Sequence, residues 1–577
     1  MNKYEQLSHI RKELQRLGEA PDWYTTAAYQ LLTENEYLNT AETPKDMFTR
    51  MANRASELTT FPIPKNFGYE NWNDAFYDIT WKGWLSPSTP VLTNLGNDRG
   101  HPISCSGTHL EDSIYGFYTA RMEVALLTKA GYGTSWNLSN VRPRGSVISK
   151  GGTASGIMQS ASGAVQDTKD VSQGSRRGNI GQYLNPMHAD FDEMYDQIMA
   201  EDDGWNAGWI LTDSYKELFK TDSDTADTIW KKMMKGRMSK GKGYQFYLDK
   251  VNRSRPQMYQ DRGLLVSHSN LCGEINLFND EDHSFTCVLS SMNIARYDEW
   301  KDTKAIQIAT VFLDAVIEDM LIKARAGKGF EKIIAFTEKS RAIGLGQLGI
   351  STYYQMNSWV YGGLESIMFN QSITKELDRE TLLASRMLAR EVGEPEWMKG
   401  YGERFSHRLA FPPTKSTAVH MGGMSEGINP VYANVYEQDT AGGNIYRINP
   451  VLLTLMKERD TYTEEVMQRI SEAQGSVQGE DWLSVHEKDV FRTAYELNQE
   501  TIITMGSQRQ KIMTLGGGGQ GQSLNLFITP DESEEEISRL HVLAFLDEWL
   551  LSLYYVHSLN EELTYKINKS SCVACEG

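Results

Sequence analysis

The run Ser269-Asn-Leu-Cys-Gly-Glu-Ile275 spaces an amide, a thiol and a carboxylate two residues apart, at Asn270, Cys272 and Glu274. On an extended backbone such residues point to one face. The thiol would then be flanked by a hydrogen-bonding amide and by a group able to take or give a proton. The plainer alternative is a buried thiol beside two solvated polar groups. Cys287, in FTCVLSS, strengthens the chemical reading if its segment meets the first. Cys105, in HPISCSG, reads by itself as a core thiol, because free cysteine is often buried. Cys572-Val-Ala-Cys575 is different. A polar terminal segment gains nothing from hydrophobic cysteines, and Lys566 and Lys569 favour the thiolate, so the pair points to dithiol exchange or metal binding.

The elements that must position these groups alternate between strand and helix, which makes the class α/β. Residues 1–80 read as a helical entry region, with helices predicted over Asp22–Leu32 and Pro44–Arg54, the second with Thr43 as N-cap and Pro44 in the first turn. From Trp81 to Pro186 the chain is rich in Gly, Ser and Thr, a texture of ligand-carrying loops. Within it a helix is predicted over Ile114–Ala130, opened by Asp112-Ser113 and closed by Gly131. An apolar stripe predicts another over Thr303–Lys323. GLLVSHSNL and FTCVLSS read as strands. Gly516–Gly519 reads as flexible, and an acidic start at Asp531–Glu536 opens an apolar helix that runs to Tyr554-Tyr555. The last segment, 560–577, reads as a flexible tail with a dithiol at its tip. From Tyr555 to Cys572 it reaches roughly 20–25 Å as a coil and about 60 Å when extended, enough to visit an interior pocket.

Composition narrows the function. The chain has 577 residues, of which 40% are hydrophobic and 23% charged, enough for a large core. Its net charge of −18 argues against a nucleic-acid or membrane-surface partner. No apolar run is long enough to span a bilayer and no secretory signal opens the chain, so a cytoplasmic location is expected. Five cysteines are too few for a disulfide-stapled fold.

Several motifs, in order, resemble the large catalytic subunit of class I ribonucleotide reductase. They are LSPSTP at 85–90, Ser104-Cys105, the DSIxGxY pattern from Asp112, KAGYG at 129–133, Arg142-Pro143-Arg144-Gly145, SQGSRRG at 172–178, SNLCxEI, CxLSS from Cys287, RAIGLG at 341–346, Tyr554-Tyr555 and the terminal CxxC. The resemblance implies a ten-stranded α/β barrel of two five-stranded halves over 81–559, with a central finger loop carrying Cys272. It implies that Cys272 becomes a thiyl radical that removes the 3′-hydrogen of a ribonucleotide. Glu274 would take the 3′-hydroxyl proton, and Asn270 would bind the ribose. Cys105 and Cys287 would give the electrons and proton that release the 2′-hydroxyl as water, forming a disulfide that Cys572 and Cys575 reduce. Tyr554 and Tyr555 would relay the radical from a separate metal-containing small subunit.

By the same resemblance, Pro413, Thr414, Lys415, Ser416 and Thr417, with Thr89, Ser104 and Gly131, would hold the substrate phosphates. Asp112 and Arg142 would hold a dNTP or ATP effector at a homodimer interface, and the loop with Gln173 and Arg177 would carry its signal to the substrate base. No cofactor bound tightly by this chain and no metal site are implied; thioredoxin or glutaredoxin would be the external reductant. The stretch before Cys105 leaves no room for a complete N-terminal ATP-cone, so dATP shut-off through one is not expected. Three other readings are weaker. A cobalamin-dependent reductase would not need the tyrosine pair, and a structural zinc site would need a second thiol pair. A dinucleotide fold would rest on Gly344-x-Gly346-x-x-Gly349, which no clear helix follows in the sequence.

Overall fold

The computed structural model describes residues 3–149, 151–171, 178–200, 204–440 and 443–559, without the side chains of 437–446. The entry region is helical, with helices Lys3–Arg16, Thr26–Glu34, Pro44–Leu58 and Trp72–Trp81. Thr43 caps the third, as its sequence predicts, and the structure adds a capping box with Asp46. Helix Ile114–Ala130 also forms as predicted: the Ser113 side chain accepts from Gly116 N, and Gly131 closes it in the left-handed region. The predicted helix over Thr303–Lys323 spans Ala305–Ala326 and is buried along most of its length.

Fifteen strands are described: β1 (Leu85–Pro87), β2 (Cys105–Gly107), β3 (Thr134–Asn137), β4 (Ile180–Leu184), β5 (Asn206–Leu211), β6 (Tyr244–Tyr247), β7 (Phe285–Asn293), β8 (Ile343–Leu348), β9 (Leu409–Phe411), β10 (Val435–Thr440), β11 (Gly443–Ile448), β12 (Gly519–Gln522), β13 (Leu526–Ile528), β14 (Ser552–Leu553) and β15 (Val556–Ser558). One sheet has the order β14-β6-β5-β4-β3, the other β1-β7-β8-β9-β12. In each, four neighbouring strands run parallel and one edge strand runs antiparallel, β14 on β6 and β1 on β7. These are the two five-stranded halves the resemblance implies. Parallel strands covered on both faces read as continuous buried runs, and β4, β5, β7 and β8 are buried at every position.

The halves are joined at two seams. At one, β2 pairs with β7 and also bridges to Gly133 beside β3. At the other, Ser552 Oγ on β14 donates to the Gln522 carbonyl on β12 at 3.4 Å.

Four expectations about the elements change. GLLVSHSNL forms no strand: residues 264–270 run as an irregular segment through the barrel interior. The final helix covers only Glu534–Leu546, so Tyr554 and Tyr555 lie between β14 and β15 rather than at a helix end. The glycine tract is packed rather than loose. A Cβ on Gly516 would lie 2.3 Å from Asp378 Oδ2, and one on Gly518 would lie 2.4 Å from Arg408 Cζ. Arg408 is buried there, paired with Glu403 at 2.6 Å and Asp378 at 2.9 Å, and its backbone N donates to Gly518 O at 2.7 Å. Gly517, at φ +75°, makes the turn from helix into β12.

The G-x-G-x-x-G run is also resolved physically. It forms β8 and is followed by helix Ile350–Met356, contrary to the expectation that no helix follows. Its glycines serve strand packing: a Cβ on Gly344 would sit 3.3 Å from Cys287 Sγ and 2.8 Å from Ala410 Cβ.

Candidate active site

Cys272 sits on a turn in the barrel interior, not on the extended backbone its spacing predicts. Residues Leu271–Gly273 reverse the chain, Gly273 takes φ +79°, and its N donates to Asn270 O at 3.4 Å. A side chain at that φ would be strained, so glycine is what lets the thiol stand at the apex. The turn still brings the flanking groups together. Asn270 Nδ2 donates to Glu274 Oε1 at 3.0 Å and to Cys105 Sγ at 3.1 Å. Tyr183 on β4 donates to Asn270 O at 2.5 Å, and Ser269 Oγ donates to Ile275 O at 2.7 Å, fixing the two ends of the turn. Cys105, Cys272 and Cys287 are all buried.

Cys105 and Cys287 are direct partners in the β2–β7 ladder. Opposed residues of an antiparallel pair have Cα atoms about 4.5–5.5 Å apart, within the range a disulfide needs. Both thiols therefore stand where they can be oxidised to a disulfide with the strands in their present register. Burial pushes the Cys287 thiol up to about 12, although Gln520 Nε2, 3.4 Å from Sγ, opposes that rise. Burial likewise raises the Glu274 carboxyl to about 7, against the hydrogen bonds from Asn270 and Ser523. A carboxyl poised near neutrality can accept and return a proton under cellular conditions.

On the other side of Cys272 is an aromatic cluster. Tyr244, Leu271, Cys272 and Tyr554 are packed together with Tyr555 against them. The Tyr554 and Tyr555 ring centroids are 4.2 Å apart, and Tyr244 lies 4.7 and 5.1 Å from them. Tyr555 continues to His557 at 5.6 Å, which stacks on Phe527. Arg237 donates to Tyr554 O at 2.5 Å; burial lowers it to about 10.

The predicted phosphate residues form two groups. Ser104 Oγ donates to Ser88 Oγ at 3.2 Å, next to Thr89, while Ser104 O accepts from Gly133 N, two residues beyond Gly131. Thr89 Oγ1 lies 3.3 Å from Tyr37 OH. In the second group Pro413 leads into Thr414, at φ +57°, which precedes helix Lys415–His420, with Ser416 and Thr417 buried in its first turn. Thr414 Oγ1 accepts from Gly427 N at 2.6 Å, and Thr417 Oγ1 donates to Thr414 O at 3.2 Å. The loops flanking the second entry helix touch both groups, Tyr37 OH at Thr89 and Tyr24 OH at His420 Nε2, 2.5 Å away. Asp112 and Arg142 are brought together in an ion pair of 2.6 Å. Gln173, Arg177, Cys572 and Cys575 lie outside the described residues.

Sequence reasoning missed Tyr183, Tyr244, Gln520 and Ser523. Tyr244 and Tyr183 look like ordinary core aromatics in their strands. Gln520 on β12 and Ser523 just beyond it follow the glycine tract, in GQGQSLN, and are both buried, but no local pattern in the sequence marks them. Among the described residues, no group of three or more His, Cys, Asp or Glu side chains could hold a metal ion, and no helix is long and apolar enough to cross a membrane.

A buried thiol, a proton-accepting carboxyl and an opposed cysteine pair inside a ten-stranded barrel define a thiol-dependent redox enzyme. The ribonucleotide reductase barrel-domain model matches residues 103–203, 196–401 and 395–555, and the all-alpha domain model of the same enzyme matches 22–100. The chain is 27% identical over 531 residues to the putative ribonucleoside-diphosphate reductase large subunit of Frog virus 3, covering 87% of this chain and 92% of the relative. It is 24% identical to the ribonucleoside-diphosphate reductase large subunit of Caenorhabditis elegans, over 84% of this chain and 70% of that one. The class Id ribonucleotide reductase alpha subunit of Actinobacillus ureae superposes with a TM-score of 0.84 at 32% identity, covering 94% of this chain and 98% of its own. The chain belongs to the ribonucleotide reductase large-subunit family.

Proposed function

We propose that this chain is the catalytic subunit of a two-subunit reductase that converts ribonucleoside diphosphates to 2′-deoxyribonucleotides through a thiyl radical on Cys272. The observation that carries the reading is the convergence on Asn270, whose amide reaches both Glu274 and Cys105, while Cys105 stands opposite Cys287. The Cys272 thiyl takes the 3′-hydrogen atom, and Glu274 takes the 3′-hydroxyl proton. The 2′-hydroxyl leaves as water with one proton from the Cys105–Cys287 pair, the pair's two electrons and second proton form the new C2′–H bond as it becomes a disulfide, and Glu274 returns its proton to the 3′-oxygen. Cys272 then returns its hydrogen atom to C3′. The sum is one ribonucleotide and two thiols consumed, with one deoxyribonucleotide, one disulfide and one water formed. Cys572 and Cys575 reduce that disulfide by thiol-disulfide exchange and are themselves reduced by thioredoxin or glutaredoxin.

The tyrosine cluster supports a relay in which Tyr554 and Tyr555 carry the radical in from a metal-containing small subunit, this chain holding no tight cofactor of its own. The diphosphate would lie between Thr89, Ser104 and Gly131 and the Pro413–Thr417 loop. The exposed apolar side chains Ile114, Tyr115, Tyr118 and Met122 on one helix support a homodimer. A dNTP or ATP effector would bind beside them at Asp112 and Arg142, its signal passing through the loop with Gln173 and Arg177. The working division is an entry region 1–80, a barrel 81–559 and a redox tail 560–577, in a cytoplasmic enzyme. The cobalamin-dependent alternative is less favoured, because the class Id alpha subunit superposes over nearly its whole length.

The test is nucleotide reduction with and without a radical-generating small subunit, comparing wild type with Cys272→Ser. Activity should require the subunit and fall by about four to six orders of magnitude in the variant. Sustained turnover of Cys272→Ser would overturn the mechanism, and turnover with adenosylcobalamin alone would reinstate the alternative.

A further inference from the structure

Ser523 lies just beyond β12, fully buried, with its backbone N held by Phe411 O at 2.9 Å. Its hydroxyl stands between two acceptors, Glu274 Oε2 at 3.1 Å and the Cys272 carbonyl at 2.9 Å. A hydroxyl has one proton, so it serves only one of them at a time. We propose that Ser523 is a positioning residue that couples the protonation of Glu274 to the turn holding Cys272. The inference rests on the proposed roles of Glu274 as base and Cys272 as radical site.

The two states follow from the chemistry of the acceptors. While Glu274 is ionised, the charge-assisted bond wins and the Ser523 proton faces Oε2. When Glu274 has taken the 3′-hydroxyl proton, Oε1 is still held by Asn270, so the new proton sits on Oε2 and donates to Ser523 Oγ. The Ser523 proton then turns to the Cys272 carbonyl. Ser523 neither gains nor loses a proton; it exchanges acceptors. The turn is thus held by one more donor during the interval in which the substrate radical exists and Cys272 must keep its place to return the hydrogen atom.

The titratable groups facing Glu274 are thiols: Cys105 on β2, linked through Asn270, and Cys287 on β7, whose thiol the carboxylate disfavours ionising. None of them supplies a cation to the carboxylate, which is stabilised by its own backbone N–H and, among side chains, by the Asn270 amide and the Ser523 hydroxyl.

The test is the pH profile of kcat/KM for the full chain with its radical subunit, in wild type, Ser523→Ala and Ser523→Thr. A hydrogen bond to the ionised form holds a carboxyl's pKa down, so its loss raises it. Ser523→Ala should move the acidic limb up by about one pH unit, about tenfold lower kcat/KM below neutrality. Ser523→Thr, which keeps the hydroxyl, should restore the wild-type limb. A folded Ser523→Ala with lower kcat but an unmoved limb would overturn the coupling, and so would a folded Ser523→Thr that fails to restore it. If the alanine variant does not fold, Ser523→Cys, a weaker donor, should give an intermediate upward shift, and an unmoved limb there is equally fatal. Glu274→Gln separates the two levels. Wild-type turnover in that variant would remove the base itself, whereas an inactive variant beside an unmoved Ser523→Ala limb would remove only the link.

Discussion

On one side of Cys272 stand Tyr244, Tyr554 and Tyr555, rings in contact and delivered by β6 and the segment after β14. On the other stand Cys287, Gln520 and Ser523, delivered by β7, β12 and the residue after it. Both sides rest on four parallel strands with one antiparallel edge, so the backbone does not distinguish them. The side chains do. The first half surrounds the thiol with polarisable rings; the second with a thiol, an amide and a hydroxyl that can hold protons and make or break a sulfur-sulfur bond. In the proposed reading one half handles the single electron and the other handles protons and the electron pair, and Cys272 is on the turn between them.

The largest effect should come from the aromatic half. Tyr554→Phe keeps the ring packing but removes the oxidisable hydroxyl, so turnover with the small subunit should be abolished while substrate binding, followed by equilibrium titration, stays at the wild-type value. Loss of binding instead would make the cluster a packing device and erase the contrast between the halves.

In the polar half, Glu274→Gln should lower turnover by about 10²–10⁴-fold and stabilise the fold. The folded carboxyl titrates near 7, above its ordinary value, so the folded protein binds that proton more tightly than the unfolded chain. That contribution is present at low pH and lost as pH rises through about 7. At pH 8 the glutamine variant should therefore resist denaturant better than wild type by about 3 kcal/mol, with the difference vanishing near pH 4. Equal stability at both pH values would mean that the carboxylate is solvated and not held in a dry site.

The smallest effect concerns the scaffold of the same half. Gly518→Ala would press a methyl against the Arg408 guanidinium, which two carboxylates hold in place. Chemical denaturation should show a loss of about 1–3 kcal/mol. An unchanged midpoint would mean that the tract can shift and is not the fixed approach to β12.

The amino-acid sequence disclosed the chemistry more readily than the geometry that delivers it. Asn270, Cys272 and Glu274 were found by spacing, yet the spacing argument assumed a strand, and a turn through Gly273 does the work. Local signals predicted helix Ile114–Ala130 to its end residues, because Ser113 and Gly131 act within one turn of where they stand. GLLVSHSNL was misread because a chain crossing a barrel interior is apolar without being paired. The glycine tract was opaque for a different reason: its meaning lies in Arg408, more than a hundred residues earlier in sequence. Gln520 and Ser523 were invisible for the same reason, since nothing local tells a buried serine that its acceptors lie on another loop.

The β2–β7 pairing has one further consequence. A covalent link between Cys105 and Cys287 would close a loop containing 106–286, and with it the four parallel strands β3 to β6. In the chain-entropy account a closure of that length removes about 5 kcal/mol worth of freedom from the unfolded ensemble. The oxidised enzyme, spent and waiting for its tail, would then be the harder form to unfold, and the reduced enzyme, ready to turn over, the softer one. A melting curve would in that sense count electrons.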